Sequence, residues 1–293
     1  MLRVITLALA VGVLPFLYRA DAYADEPAVQ AAAAQQATEE SKETNRWLDD
    51  YRQPVGFTYG AEAVLQTAYL FRGVYVGGAN IQASANVGYG GLYAGLWWNI
   101  GVTDWTFRTF EPEVDVTIGF ARWGMDVNLL YVHNFDCAFF DFTNYPSGGN
   151  SLELRASYTV SSKLPLRFLW ATRVAASDGY VNDAGDTVRA WSSYAELSYT
   201  HRFAYGLSLH GAFGITPWKS RYTGFQRGFA FQLVELRLRK DWSVSEHCGL
   251  MLQGQLCINP SLLATDKASA QWHPADPWNQ SVNANIGFGV YLK

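Results

Sequence analysis

Between Asn80 and Gly88 the chain alternates without a fault. Ile81, Ala83, Ala85 and Val87 are apolar; Asn80, Gln82, Ser84 and Asn86 are polar. The last segment repeats the pattern, with Val282, Ala284, Ile286, Phe288, Val290 and Leu292 set against Ser281, Asn283, Asn285, Gly287, Gly289 and Tyr291. A period of two puts alternate side chains on opposite faces of a β-strand. Twelve segments read this way, at 57–72, 80–89, 91–100, 112–121, 125–134, 151–160, 165–175, 188–202, 206–216, 229–242, 249–258 and 281–292. The chain is therefore all-β, with one oily and one wet face.

The connections sort by length. Short ones fall near Gly90, Arg122–Gly124, Ser161–Leu164, Phe203–Tyr205 and Val244–Cys248; long ones at Gly73–Ala79, Gly101–Glu111, Phe135–Asn150, Ala176–Thr187, Pro217–Gly228 and Asn259–Gln280. Regular alternation of tight turns and long loops over an even number of strands is the pattern of an outer-membrane barrel. The expectation is a single transmembrane antiparallel β-barrel of about 12 strands, with short periplasmic turns and longer extracellular loops. The rival is a secreted β-sandwich, in which the apolar row would face a core and the polar row water.

The ends of the 293-residue chain frame that choice. Residues 1–24 read as a signal peptide: Arg3 gives a positive start, Val4 to Leu17 an apolar stretch, and Ala22-Tyr23-Ala24 a small-x-small cleavage site. Residues 25–50 read as an acidic, low-complexity periplasmic leader, with seven acids against Lys42 and Arg46. The barrel occupies 51–293 and is charge-balanced, with 18 basic and 18 acidic residues. A formal net charge of -4 for the whole chain argues against a nucleic-acid partner. Beyond the leader no apolar run reaches the roughly 18 residues of a spanning helix.

Physics assigns the faces. In hydrocarbon each backbone polar group needs an internal partner, so only a closed sheet survives there. The outward row is then Leu65, Val116, Leu129, Leu154, Phe168, Leu197, Leu209, Leu236 and Leu252. The inward row supplies the candidate pore-lining residues: Glu62, Glu113, Asp115, Asp126, Glu153, Arg155, Arg167, Arg173, Glu196, Glu235, Arg237 and Arg239, with Gln66, Asn128 and Gln253. Aromatic girdles are expected at both ends. One is formed by Phe57, Tyr59, Phe120, Trp123, Tyr158, Phe203 and Trp242, the other by Tyr69, Phe71, Trp98 and Phe229.

Three stretches resemble a known family: Ala68-Tyr69-Leu70-Phe71-Arg72-Gly73, Gly91-Leu92-Tyr93-Ala94-Gly95-Leu96-Trp97, and Glu113-Val114-Asp115-Val116-Thr117-Ile118-Gly119-Phe120. Together they look like the TorF-type porin family, in which a first strand ends in Phe-Arg-Gly, a Tyr-Ala-Gly-x-Trp strand follows, and then an acidic strand. The match covers mainly the first half of the barrel. It implies an outer-membrane barrel with a porin role.

The mixed charges support two readings, a selectivity wall or a salt-bridge network that ties the lumen. Twelve strands fall between a filled eight-stranded barrel and a 16–18-stranded aqueous channel, so a narrow or plugged pore is expected. The loop Phe135–Phe142 is too apolar for free solvation; it either folds into the mouth as a constriction or extends the strands and packs on its neighbours. Trp272-His273-Pro274 and Asp276-Pro277-Trp278 read as rigid loop packing, with sugar stacking as the alternative. His133, His201, His210, His247 and His273 show no metal-ligand spacing. Ser208 and His210 share the inward face, but without an oriented third group they make no nucleophile. No cofactor, metal or catalytic site is expected. Cys137, Cys248 and Cys257 leave two arrangements open, a Cys137–Cys257 bridge or three free thiols.

The function expected from sequence is passive diffusion of small hydrophilic solutes or ions through a polar lumen. The partners are outer-membrane lipids and the outer-membrane assembly machinery, and the location is the bacterial outer membrane. The alternatives are a closed structural or adhesive barrel whose loops bind a partner or glycan, and a barrel hydrolase.

Overall fold

The structure, a computed structural model, describes residues 56–292 except 103–111, 136–137, 143–149, 162, 177, 183, 226 and 264–280. The expected signal peptide and leader lie outside the described residues, as do Cys137, His273 and the two Trp-Pro segments.

The described residues form sixteen strands: β1 (Phe57–Gln66), β2 (Tyr69–Phe71), β3 (Val74–Gly77), β4 (Asn80–Tyr89), β5 (Leu92–Gly101), β6 (Glu113–Arg122), β7 (Met125–Asn134), β8 (Ser151–Thr159), β9 (Leu166–Ala175), β10 (Gly179–Val181), β11 (Thr187–Arg189), β12 (Ser193–Arg202), β13 (Leu207–Thr216), β14 (Ala230–Ser243), β15 (Cys248–Ile258) and β16 (Val282–Leu292). Twelve of them close a barrel in the order β1-β4-β5-β6-β7-β8-β9-β12-β13-β14-β15-β16. β16 returns to β1 through Leu65↔Phe288 and its neighbouring pairs, all antiparallel. Closure leaves the twelve-stranded sheet without an edge, and the described residues form no opposing sheet stacked on it, only the two-stranded ribbons β2–β3 and β10–β11, which removes the sandwich reading.

Polarity is inverted relative to a water-soluble fold. Among the described residues the buried polar side chains include Asn80, Asn99, Glu153, Gln232, Gln253, Gln255 and Asn285. Leu65, Ile81, Ile118, Phe168, Leu236 and Phe288 are exposed. The outer face suits hydrocarbon, and buried polar side chains of the interior hydrogen-bond to one another, as Asn285 does to Gln66 and Gln255.

Tight turns close the short-turn end. Trp123 and Gly124 join β6 to β7 with φ of 55° and 80°, and Gly90 and Gly91 join β4 to β5 with 61° and 98°. Two successive positive φ values are those of a type I′ hairpin, whose twist matches the strands. Tyr59, Tyr89, Trp123, Tyr158, Phe203, Tyr205 and Trp242 are exposed near this end.

Two of the segments read from sequence are too long to be single strands. The stretch 57–72 divides at Thr67: β1 ends at Gln66, and β2 turns away to pair with β3 as a separate ribbon. The stretch 188–202 divides likewise, with β11 pairing β10 outside the barrel ladder. Each has 15 or more residues, whereas a tilted spanning strand needs only about 9–11. Tyr69 and Phe71 are accordingly not girdle residues. Tyr69 is buried, and both stand on the β2–β3 ribbon.

Candidate functional site: a hairpin across the lumen

The β2–β3 ribbon folds inward and crosses the barrel. Asn285 on β16 secures its base. The Asn285 Oδ1 accepts from the Thr67 N–H at 3.1 Å, the Thr67 hydroxyl at 3.1 Å and the Ala68 N–H at 3.2 Å. Midway along, the Tyr69 hydroxyl donates to Glu113 Oε1 at 3.0 Å, and its ring lies 5.5 Å from that of Trp97.

The tip is Arg72-Gly73, with φ of 50° and 79°. A Cβ on Gly73 would overlap the Gln232 carbonyl oxygen of β14, so only glycine allows this approach. Arg72 makes a two-point ion pair with Glu153 on β8, Nη1 to Oε2 at 2.8 Å and Nη2 to Oε1 at 2.7 Å. Its guanidinium carbon lies 4.5 Å from the Tyr194 ring centroid and 5.1 Å from that of Tyr222. β8 and β12, which carry Glu153 and Tyr194, are each five strands from β1 by opposite routes round the ring of twelve. The tip therefore touches the wall opposite its own root.

The far wall is built to receive it. Glu153 also accepts from Arg155 Nε at 2.6 Å and from the Tyr222 hydroxyl at 2.7 Å. Tyr222 is held by a 3-10 turn, Arg221–Thr223, capped by Ser220, whose hydroxyl accepts from the Tyr222 N–H, and ended by Gly224 at φ 60°. Tyr194 fits because β13 has Gly214 beside it, where a Cβ would overlap the ring. Both side chains of the ion pair are almost wholly buried, with 7% and 4% of their surface exposed. Burial alone would lower the Arg72 pKa; the facing Glu153 carboxylate outweighs it and holds the guanidinium pKa above its ordinary value.

All twelve candidate pore-lining residues lie on barrel strands in the inward phase. Glu113, Glu153, Arg155 and Arg173 gather round the ribbon. Arg173 pairs in register with Glu153, and its guanidinium carbon lies 5.2 Å from the Tyr222 ring centroid. Asp115 follows Glu113 on the same face of β6, with Oδ1 buried and without a hydrogen-bond partner among the described residues. Glu62 on β1 meets Arg239 on β14 at 2.9 Å, and Arg239 also holds Asp241 at 2.9 Å. Arg237 pairs with Glu235 at 2.6 Å. Asp126 accepts from the Tyr93 hydroxyl at 2.8 Å, Glu196 from the Tyr194 hydroxyl at 2.8 Å, and Arg167 donates to Ser157 at 3.2 Å. Arg72, Tyr194, Tyr222 and Asn285 join this site without having stood among the residues expected from sequence to line the pore. The excess length of the first segment and the Arg-Gly pair at its end are the signals that mark the first of these.

No protein-family model matches the chain, and no curated protein matches it. Among solved structures, a NanC porin is 11% identical over 80% of this chain and 100% of that one, with a TM-score of 0.46. An outer membrane channel from Pseudomonas putida F1 is 11% identical over 83% and 97%, at 0.43. A mutant of TodX, a monoaromatic hydrocarbon channel, is 10% identical over 82% and 90%, at 0.36.

His210 Nδ1 lies 2.9 Å from the Thr200 hydroxyl, which leaves Ser208 outside that hydrogen bond. Among the described residues no three His, Cys, Asp or Glu side chains converge as a metal site. Cys248 and Cys257 are free thiols; Cys137, the other half of the Cys137–Cys257 alternative, lies outside the described residues. The described part of the Phe135–Phe142 loop does not constrict the mouth. Phe139 stacks on His133 at 4.0 Å and Phe140 on Tyr131 at 5.0 Å, both on the outward phase of β7. It is the ribbon after β1 that enters the lumen instead.

Proposed function

We propose that this chain is a bacterial outer-membrane channel for small hydrophilic solutes or ions, narrowed at one level by the β2–β3 ribbon. The observation that carries the reading is the inverted polarity: a closed barrel with an exposed apolar wall and a buried, charged interior. Such a body is stable only with hydrocarbon outside. The short turns face the periplasm and the long connections the exterior.

Glu62, Glu113, Asp115, Asp126, Glu153, Arg155, Arg167, Arg173, Glu196, Glu235, Arg237 and Arg239 are its wall. Acids and arginines of similar number sort solutes by local charge pattern rather than by net sign. The resemblance of Phe71-Arg72-Gly73 and the strands after it to TorF-type porins supports the same role. A second reading, a closed barrel whose outer loops bind a partner or glycan, has support from the ribbon that crosses the lumen.

Planar-bilayer recording separates the two. A channel gives discrete conductance steps, which grow when residues 68–78 are replaced by a short Gly-Ser linker. Arg237→Glu with Arg239→Glu shifts the cation/anion preference. A folded ribbon-less protein that stays silent removes the channel and leaves the closed barrel.

A further inference from the structure

The seat of Arg72 has the makings of a ligand site. A buried carboxylate presents both oxygens to the two terminal nitrogens of one guanidinium group. Tyr194 and Tyr222 stand beside the same group at cation–π distance, and the Tyr222 hydroxyl touches both Arg72 Nη1 and Glu153. Two parallel N–H donors match a planar fork and not an ammonium point charge. Arg155 on Glu153 and Arg173 by the Tyr222 ring add two neighbouring positive groups. They favour a guest that brings a carboxylate along with its guanidinium over a bare cation.

A second observation is independent of these contacts. Arg72 takes φ 50° in a two-residue turn where Asn or Gly is the usual choice. The backbone gains nothing from arginine there, so the residue is explained by its head group. Strain of this kind persists where surrounding contacts over-determine it.

We infer that the cleft between Glu153, Tyr194 and Tyr222 is a binding site for guanidinium-bearing solutes such as arginine, with Arg72 as its tethered occupant. A free solute that takes this place releases the ribbon tip and widens the lumen. The gating half of this rests on the channel reading above; the binding half does not. A short tether gives an effective concentration on the order of millimolar or more, so the free solute competes with the wild-type occupant only above that level.

The test removes the occupant and offers the guest. Purified Arg72→Ala protein in detergent is titrated with arginine, lysine or citrulline while its thermal unfolding midpoint is followed. Near-saturating arginine raises the midpoint by about 5 °C, as expected for a ligand held only by the folded state. Lysine, which lacks the fork, and citrulline, which lacks the charge, leave it in place, and adding Glu153→Gln abolishes the arginine effect. Should Arg72→Ala fail to fold, Arg72→Lys keeps a cation against Glu153 and replaces it in the titration. In bilayers, arginine raises wild-type conductance and lowers that of Arg72→Ala. If both proteins are silent while arginine alone still shifts the midpoint, the channel reading falls and the site stands. A midpoint unmoved by arginine, or moved equally by lysine, overturns the site whatever the bilayers record.

Discussion

Arg72 and Glu153 are 81 residues apart in the chain, yet their side chains meet in two N···O contacts of 2.8 and 2.7 Å at the wall facing the root of the ribbon. That pair ties a segment with its own two-stranded pairing to the far side of the barrel. The ribbon is secured at three points: its base by Asn285, its middle by Glu113 and its tip by Glu153.

Gly73 and Gly90 both have positive φ, 79° and 61°, but only Gly73 faces an atom that a Cβ would strike. Gly90→Ala should cost about 1–2 kcal/mol, the left-handed backbone penalty alone. Gly73→Ala should in addition lift the tip off Gln232, seen as a larger conductance or faster protease cleavage within 68–78. Equal effects of the two substitutions would contradict the docking geometry.

How far the sequence reveals this arrangement depends on which interaction decides each part. Alternation along 80–88 and 281–292 fixes face and strand identity, because a one-residue slip would turn every side chain over. The same pattern places Glu153, Arg237 and their ten companions on the inner face. Alternation does not say where a strand leaves the wall. The run 57–72 keeps its apolar character past Gln66, since Tyr69 and Phe71 exchange a lipid-facing role for packing inside the lumen. Tyr222 is harder still to anticipate. It sits in an irregular connection, and only the cap at Ser220 and the glycine at 224 aim it at Glu153.

The Tyr222 hydroxyl donates to Glu153 at 2.7 Å and contacts Arg72. Tyr222→Phe keeps the ring and removes that hydroxyl. It should cost about 1–3 kcal/mol, the range for a hydrogen bond to a charged, buried group. Unfolding in denaturant measures it, and a variant as stable as the parent would show that the hydroxyl is idle.

Ala85 and Asn86 are adjacent on β4, both exposed, and on opposite faces. Ala85→Arg puts a charge against hydrocarbon and should cost about 2–4 kcal/mol at mid-depth. Asn86→Arg points into the lumen and should change stability by no more than about 0.5 kcal/mol. Refolding into lipid vesicles at graded denaturant compares them. A reversed order would place lipid on the wrong face.

Cys257 is 2% exposed on the inner face, with its sulfur 3.7 Å from Glu235 Oε2, whereas Cys248 is half-buried at the first position of β15. In a Cys137→Ser background, a bulky maleimide should label one thiol in the folded protein and two after denaturation. Rapid labelling of both in the folded state would deny the packing around β15.

The most direct test of the inside-out barrel is a nitroxide scan along β14, one label at a time from Val234 to Arg239, in protein reconstituted into lipid vesicles. Labels at 234, 236 and 238 should relax with dissolved oxygen and be shielded from a water-soluble nickel chelate; labels at 235, 237 and 239 should be shielded from oxygen. Two curves alternating out of phase with a period of two are the predicted result. A single flat curve, or a chelate-accessible set at 234, 236 and 238, would contradict it.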